Sequence, residues 1–208
     1  MYKNFRLLPV FFGVFLCANG AYAKDCLSYK ITPKVVINTP EYTKQVVQPA
    51  EHMNLMHGNV VATLVNNYDI VADFKQTDGG YCVWLKSVNA TIGYSDFLVQ
   101  IDVRHDKNSC SYNAILAHEN RHIDAYLSVI DDNKKLLHES LYSGAAAIMP
   151  IFVASRYDVD NAVEKLNHEL QTHPDIILAI QKIHADEEIK NKYIDANEDN
   201  RELEKCTK

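Results

Sequence analysis

Residues 112–148 read YNAILAHENRHIDAYLSVIDDNKKLLHESLYSGAAAI. Within this window Leu116, Ile123, Leu127, Ile130, Leu137, Leu141, Ala145 and Ile148 recur at intervals of three, four or seven residues. That spacing gathers apolar side chains on one face of a helix with 3.6 residues per turn. The window therefore predicts a single long helix, with Ser109 or Ser111 to cap its start and Pro150 to stop it.

Upstream the period changes. β-Branched and aromatic runs at Lys34–Asn38, Lys44–Gln48, Val60–Phe74 and Tyr81–Ala90 read as strands, punctuated by Pro33, Pro40, Pro49 and Gly58. Asp78-Gly79-Gly80 resembles a hairpin turn. From Tyr94 to Val103, Phe97, Val99, Ile101 and Val103 alternate with Asp96, Gln100 and Asp102, as in a half-buried strand. Downstream, a second helical pattern covers Val159–Gln171, and a third follows Pro174 with Ile176, Ile177, Ile180 and Ile183 as its stripe. The strongly charged tail after Asn191 reads as a solvated helix end held by Cys206. Strands first and helices second imply an α+β fold, with the strand-rich N-terminal half packed on the long helix and the helices after it.

The two ends of the sequence set its compartment. Lys3 and Arg6 precede an apolar run from Leu7 to Cys17 and then Ala21-Tyr22-Ala23, the layout of a secretory signal peptide cleaved after Ala23. Residues 24–208 then form one domain in the periplasm or outside the cell, with no membrane-spanning stretch after cleavage. Removing Lys3 and Arg6 from the 21 basic residues leaves 19 against 27 acidic ones, a net charge of −8. Such a balance argues against nucleic acid or an anionic membrane surface as partner. Oligomeric state has no signature in the sequence. Four cysteines remain, Cys26, Cys82, Cys110 and Cys206, an even number suited to two disulfides. Of the three pairings, Cys26 with Cys206 and Cys82 with Cys110 is preferred, because it staples the chain ends and ties a strand to the helix entry.

Chemistry concentrates in the long helix. His118-Glu119-Asn120-Arg121-His122 is an H-E-x-x-H pattern. Residues four apart sit one above the other on a helix, so two imidazoles can grip one ion from a rigid support. Glu119 lies next to the first of them, turned about 100° around the axis, where a carboxylate can act as a base on water. Tyr126 continues the histidine stripe and can orient a ligand or touch substrate, with core packing the more common role of an aromatic at that spacing.

These residues resemble the zincin superfamily of metallopeptidases, in which a strand along the substrate cleft precedes the helix with two histidines and a glutamate. The signal peptide, strand-rich front half and cysteine-flanked motif are also similar to a group of small secreted bacterial zinc proteases. The resemblance implies Zn²⁺ as cofactor, peptide or protein as substrate, His118 and His122 as ligands and Glu119 as general base. A non-catalytic periplasmic or secreted binding or assembly protein, with a structural or accidental H-E-x-x-H, is the alternative.

Catalytic zinc takes three protein ligands, and the motif supplies two. No third histidine follows at metzincin spacing. Glu139 lies on the same uninterrupted helix, about 25 Å beyond His122. If the chain doubles back at Pro150, residues in the 170s come alongside the motif. The nearest candidate there is His173, with His168, Glu164 and His184 behind it.

Overall fold

A computed structural model describes residues 26–53, 57–198 and 205–206. The segment read as a signal peptide lies outside the described residues. Five strands and three α-helices form an α+β fold: β1 (Lys34–Asn38), β2 (Thr43–Val47), β3 (Gly58–Thr77), β4 (Gly80–Ile101), α1 (Cys110–Ala147), β5 (Ile151–Val153), α2 (Val159–Gln171) and α3 (Pro174–Glu198).

The organising element is β4, whose 22 residues merge the two strands expected at Tyr81–Ala90 and Tyr94–Val103. Its whole length pairs antiparallel with β3, from Thr77↔Gly80 at the hairpin to Gly58↔Ile101 at the far end. Gly79 makes that hairpin possible, since its φ of 102° is a region where a side chain is strained. Along the other side of β4 run β5 (antiparallel, Tyr81↔Val153), β1 (parallel, Lys34↔Ser87) and β2 (parallel, Thr43↔Asp96). Register shifts in β3 between Thr63 and Leu64 and between Val71 and Ala72 mark bulges that re-aim the alternation of a very long pair.

One face of this sheet is dry. Val88, Ala90, Ile92, Phe97, Val99 and Ile101 are all at most 1% exposed and meet Val129, Leu141, Leu166 and Ile183 of the helices. Complete burial of each such aliphatic side chain contributes about 1.5–3 kcal/mol. The opposite face carries Asn38, Asn89, Thr43 and Asp96, joined in pairs by hydrogen bonds of 2.7 Å.

Ser109 caps α1 by accepting a hydrogen bond from the Tyr112 amide at 3.1 Å, and the helix ends before Pro150. Helices α1 and α3 then pack antiparallel in a regular register. Gly144 faces His173, Asn133 binds Asp186 at 2.8 Å, Ser128 binds Lys190 at 2.7 Å and His122 meets Asp195 at 3.1 Å. Each step back along α1 is matched by one forward along α3. Asn133 is 4% exposed, and its amide also donates to the Val129 carbonyl, so both of its N–H donors are satisfied.

The disulfides are Cys26–Cys82 and Cys110–Cys206, which corrects the preferred pairing. The reason lies in the packing of the first described residues. Tyr29 stacks on Trp84 with ring centroids 5.1 Å apart, and Lys75 lies over the Tyr29 ring, which seats Cys26 beside Cys82 on β4. Because α3 runs antiparallel to α1, its distal end approaches the start of α1, where Cys110 stands. Two disulfides are consistent with a secreted or periplasmic protein. Among the described residues, no helix is long and apolar enough to cross a membrane.

Candidate metal centre

His118 and His122 stand one turn apart on α1 with ring centroids 4.8 Å apart and their Nε2 atoms separated by 3.1 Å. The third member of the group is Asp195 of α3. Its Oδ1 lies 3.1 Å from His122 Nε2 and 3.5 Å from His118 Nε2. All three ligand atoms fall within 4.8 Å of one another, a spacing that could hold one metal ion. The histidines are largely shielded, with side chains 17% and 12% exposed, while Asp195 is 54% exposed and leaves one side open to solvent.

Asn191, one turn before Asp195, accepts a hydrogen bond from His122 Nδ1 at 2.8 Å. A proton fixed on Nδ1 leaves the Nε2 lone pair directed at the group, the usual arrangement behind a ligating imidazole. Asn191 also hydrogen-bonds Tyr126, whose hydroxyl is pushed up by burial and by the negative charge of Glu187, with smaller contributions from Glu119 and Asp195. Tyr126 packs edge-on against Tyr94 at 4.9 Å. Tyr94 in turn donates to Glu187 at 2.5 Å, and burial followed by that hydrogen bond raises its pKa well above the ordinary tyrosine range. Tyr126 thus packs in the core and also touches the residue behind His122.

Glu119 is 4% exposed, with its carboxylate against Gly58 at the start of β3. It fits there because β3 begins with a glycine. A methyl group on Gly58 would lie 2.3 Å from Glu119 Oε1 and 2.6 Å from Ile115 Cγ2. Gly58→Ala must therefore displace Glu119 or lift β3 from α1. Overpacking of this kind costs about 1–3 kcal/mol. At this chain length the melting temperature should fall by about 2–4 °C for each kcal/mol, which thermal unfolding of the oxidised protein measures.

His173 does not join the group. It sits against Gly144, 22 residues and about 33 Å along α1 from His122, with its Nδ1 3.9 Å from Asp175. The chain does double back along α1, but the return begins later than Pro150 implies. β5 and α2 occupy the chain after Pro150, so α3 starts its return only at Pro174, opposite the last turn of α1. Residues alongside the motif are consequently in the 190s, within the segment read as a solvated tail. The overlooked signal is Asn191 and Asp195, two oxygen-bearing side chains four apart that continue one face of α3 through His184 and Glu187.

No family model, no curated protein and no solved structure matches this chain. The residues themselves carry the functional reading.

Proposed function

We propose that this protein is an exported zinc-dependent hydrolase acting on peptide or protein substrates. The observation that carries the reading is the convergence of His118, His122 and Asp195 within 4.8 Å, beside a glutamate that the H-E-x-x-H spacing puts next to the first histidine. Two imidazoles and one carboxylate oxygen are donors that zinc favours, and three protein ligands leave a position for water or substrate. The same donor set suits ferrous iron. Glu119 tilts the choice, because a base beside the ions' ligands serves hydrolysis and has no part in a purely redox centre.

Zn²⁺ in such a site acidifies water and polarises a carbonyl. The remaining steps belong to the chain. Asn191 holds the His122 ring in register through Nδ1, and the Tyr126–Asn191 contact keeps that amide oriented. Glu119, seated under Gly58, takes the proton of the attacking water and returns it to the leaving amine. Its buried setting removes competing solvent from around the carboxylate.

The test is a digest of denatured proteins and peptide libraries read by mass spectrometry, with and without a chelator. Cleavage should disappear on chelation and return with added Zn²⁺. Stoichiometric zinc with no cleavage across broad libraries would instead identify a non-catalytic metal site in a binding or assembly protein.

A further inference from the structure

A second pair of imidazoles lies outside the group just described. His57, the residue before β3, and His105, in the loop between β4 and α1, approach with Nδ1 of the first 2.9 Å from Nε2 of the second. Their ring centroids are 5.1 Å apart and their planes inclined at 61°. We propose that His57 and His105 form a separate metal site, a two-imidazole chelate for a divalent ion of the copper or nickel type.

The first support is geometric. Two nitrogens each about 2.0–2.1 Å from one ion and at right angles are about 2.9 Å apart, the separation of neighbouring positions in a tetragonal or square-planar shell. Copper and nickel favour that shell, and copper binds nitrogen donors most strongly among the first-row divalent ions. In the present contact one ring must donate to the other. Passing one ring to its other neutral tautomer frees both lone pairs with no proton gained or lost, and rotation of the exposed His57 ring then turns them from facing each other toward a common point about 2.0–2.1 Å from both nitrogens.

The second support is preorganisation. The pair is held by a frame built on Asp102, whose side chain is 0% exposed although it follows directly on the last residue of β4. Its carboxylate accepts hydrogen bonds from the Arg104 amide at 2.8 Å, from Arg104 Nε at 2.9 Å and from the Met53 amide at 2.6 Å, while His52 Nδ1 lies 3.3 Å away. The Asp102 amide donates to the His57 carbonyl at 2.9 Å, and Gln48 Nε2 donates to the His105 carbonyl at 2.8 Å. Both backbones are fixed before an ion arrives, so binding orders little beyond the rings and water. His57 is exposed and His105 half-buried, so the pair is open to solvent for the remaining ligand positions.

This site is independent of the hydrolase reading and is tested without it. The full-length chain carrying His118→Ala and His122→Ala is titrated with Cu²⁺ alone at neutral pH, by calorimetry and electron paramagnetic resonance. One Cu²⁺ per chain is expected, with a tetragonal spectrum showing coupling to two imidazole nitrogens. Adding His57→Gln or His105→Gln should weaken binding at least about tenfold and remove one nitrogen from the spectrum. His138→Gln, at an exposed position of α1 outside this frame, should change neither. Absence of a stoichiometric Cu²⁺ site in the parent, or unchanged affinity and spectrum in both the His57 and His105 variants, overturns the proposal. Both side chains lie at the surface frame, so circular dichroism identical to the parent confirms that each variant reports on binding and not on folding.

Discussion

Reconstituted, desalted protein carrying His118→Ala or His122→Ala is expected to hold no zinc at the α1–α3 group, against one ion per chain at that group in the wild type. Each substitution removes one of two imidazoles whose Nε2 atoms are 3.1 Å apart, and a single remaining histidine with one exposed carboxylate is an ordinary surface arrangement. Asp195→Ala leaves the histidines in place and should weaken zinc about a hundredfold or more. Asn191→Ala removes only the hydrogen bond behind His122 and falls in the range of about 10–100-fold typical of such supports. His173→Ala, six turns away, should leave affinity unchanged. Competition against a zinc-binding dye measures the series. Unfolding supplies a second reading, since an ion at a hundred times its dissociation constant adds about 2.7 kcal/mol to stability. Zinc retained at wild-type affinity by Asp195→Ala would remove α3 from the centre.

Glu119→Gln should separate holding a metal from using it. The substitution keeps the size of a side chain packed under Gly58 and discards its basicity, so zinc content should change little. Turnover on any substrate found in the digest should drop by about 10²–10⁴, the usual contribution of a general base, which corresponds to about 3–5 kcal/mol of barrier. Equal cleavage by Glu119→Gln with zinc retained would assign the proton transfer to another group. Tyr126 is then the neighbour to examine, because its hydroxyl senses both Glu119 and Asp195.

Local chemistry made much of the fold legible. Ser109, Pro150 and the apolar interval fix α1 because capping, a missing amide and helical periodicity act within a few residues. Asp78-Gly79-Gly80 marks the β3–β4 hairpin for the same reason. The merging of two expected strands into β4 is not legible, because a bulge between Thr63 and Leu64 breaks the simple alternation there, whereas β3 pairs on through Val65↔Gly93. His118, Glu119 and His122 share one helix, and their proximity follows from its pitch alone. Asp195 reaches them only through the register of two helices separated by β5 and α2. That register is set where Gly144 admits the His173 ring and Ile176, a close approach that no spacing in the sequence announces. The disulfides fail to be legible on the same ground, since Cys26 is placed by Tyr29 on Trp84 and Cys206 by the direction of α3.

The Cys110–Cys206 bridge gives the centre an order of assembly. His118 and His122 come into register as soon as α1 winds, eight and twelve residues beyond Cys110. Asp195 arrives from near the end of α3, eleven residues before Cys206, where an untethered helix would fray. Closing the bridge converts that arrival into an intramolecular event and raises the effective concentration of the carboxylate at the imidazoles. On the proposed reading, a reduced chain holds the two imidazoles firmly and the carboxylate loosely, whereas the oxidised chain holds all three. On that reading the third donor is secured together with the crosslink, so affinity for an ion at the α1–α3 group is expected to be higher where thiols are oxidised than where they are kept reduced.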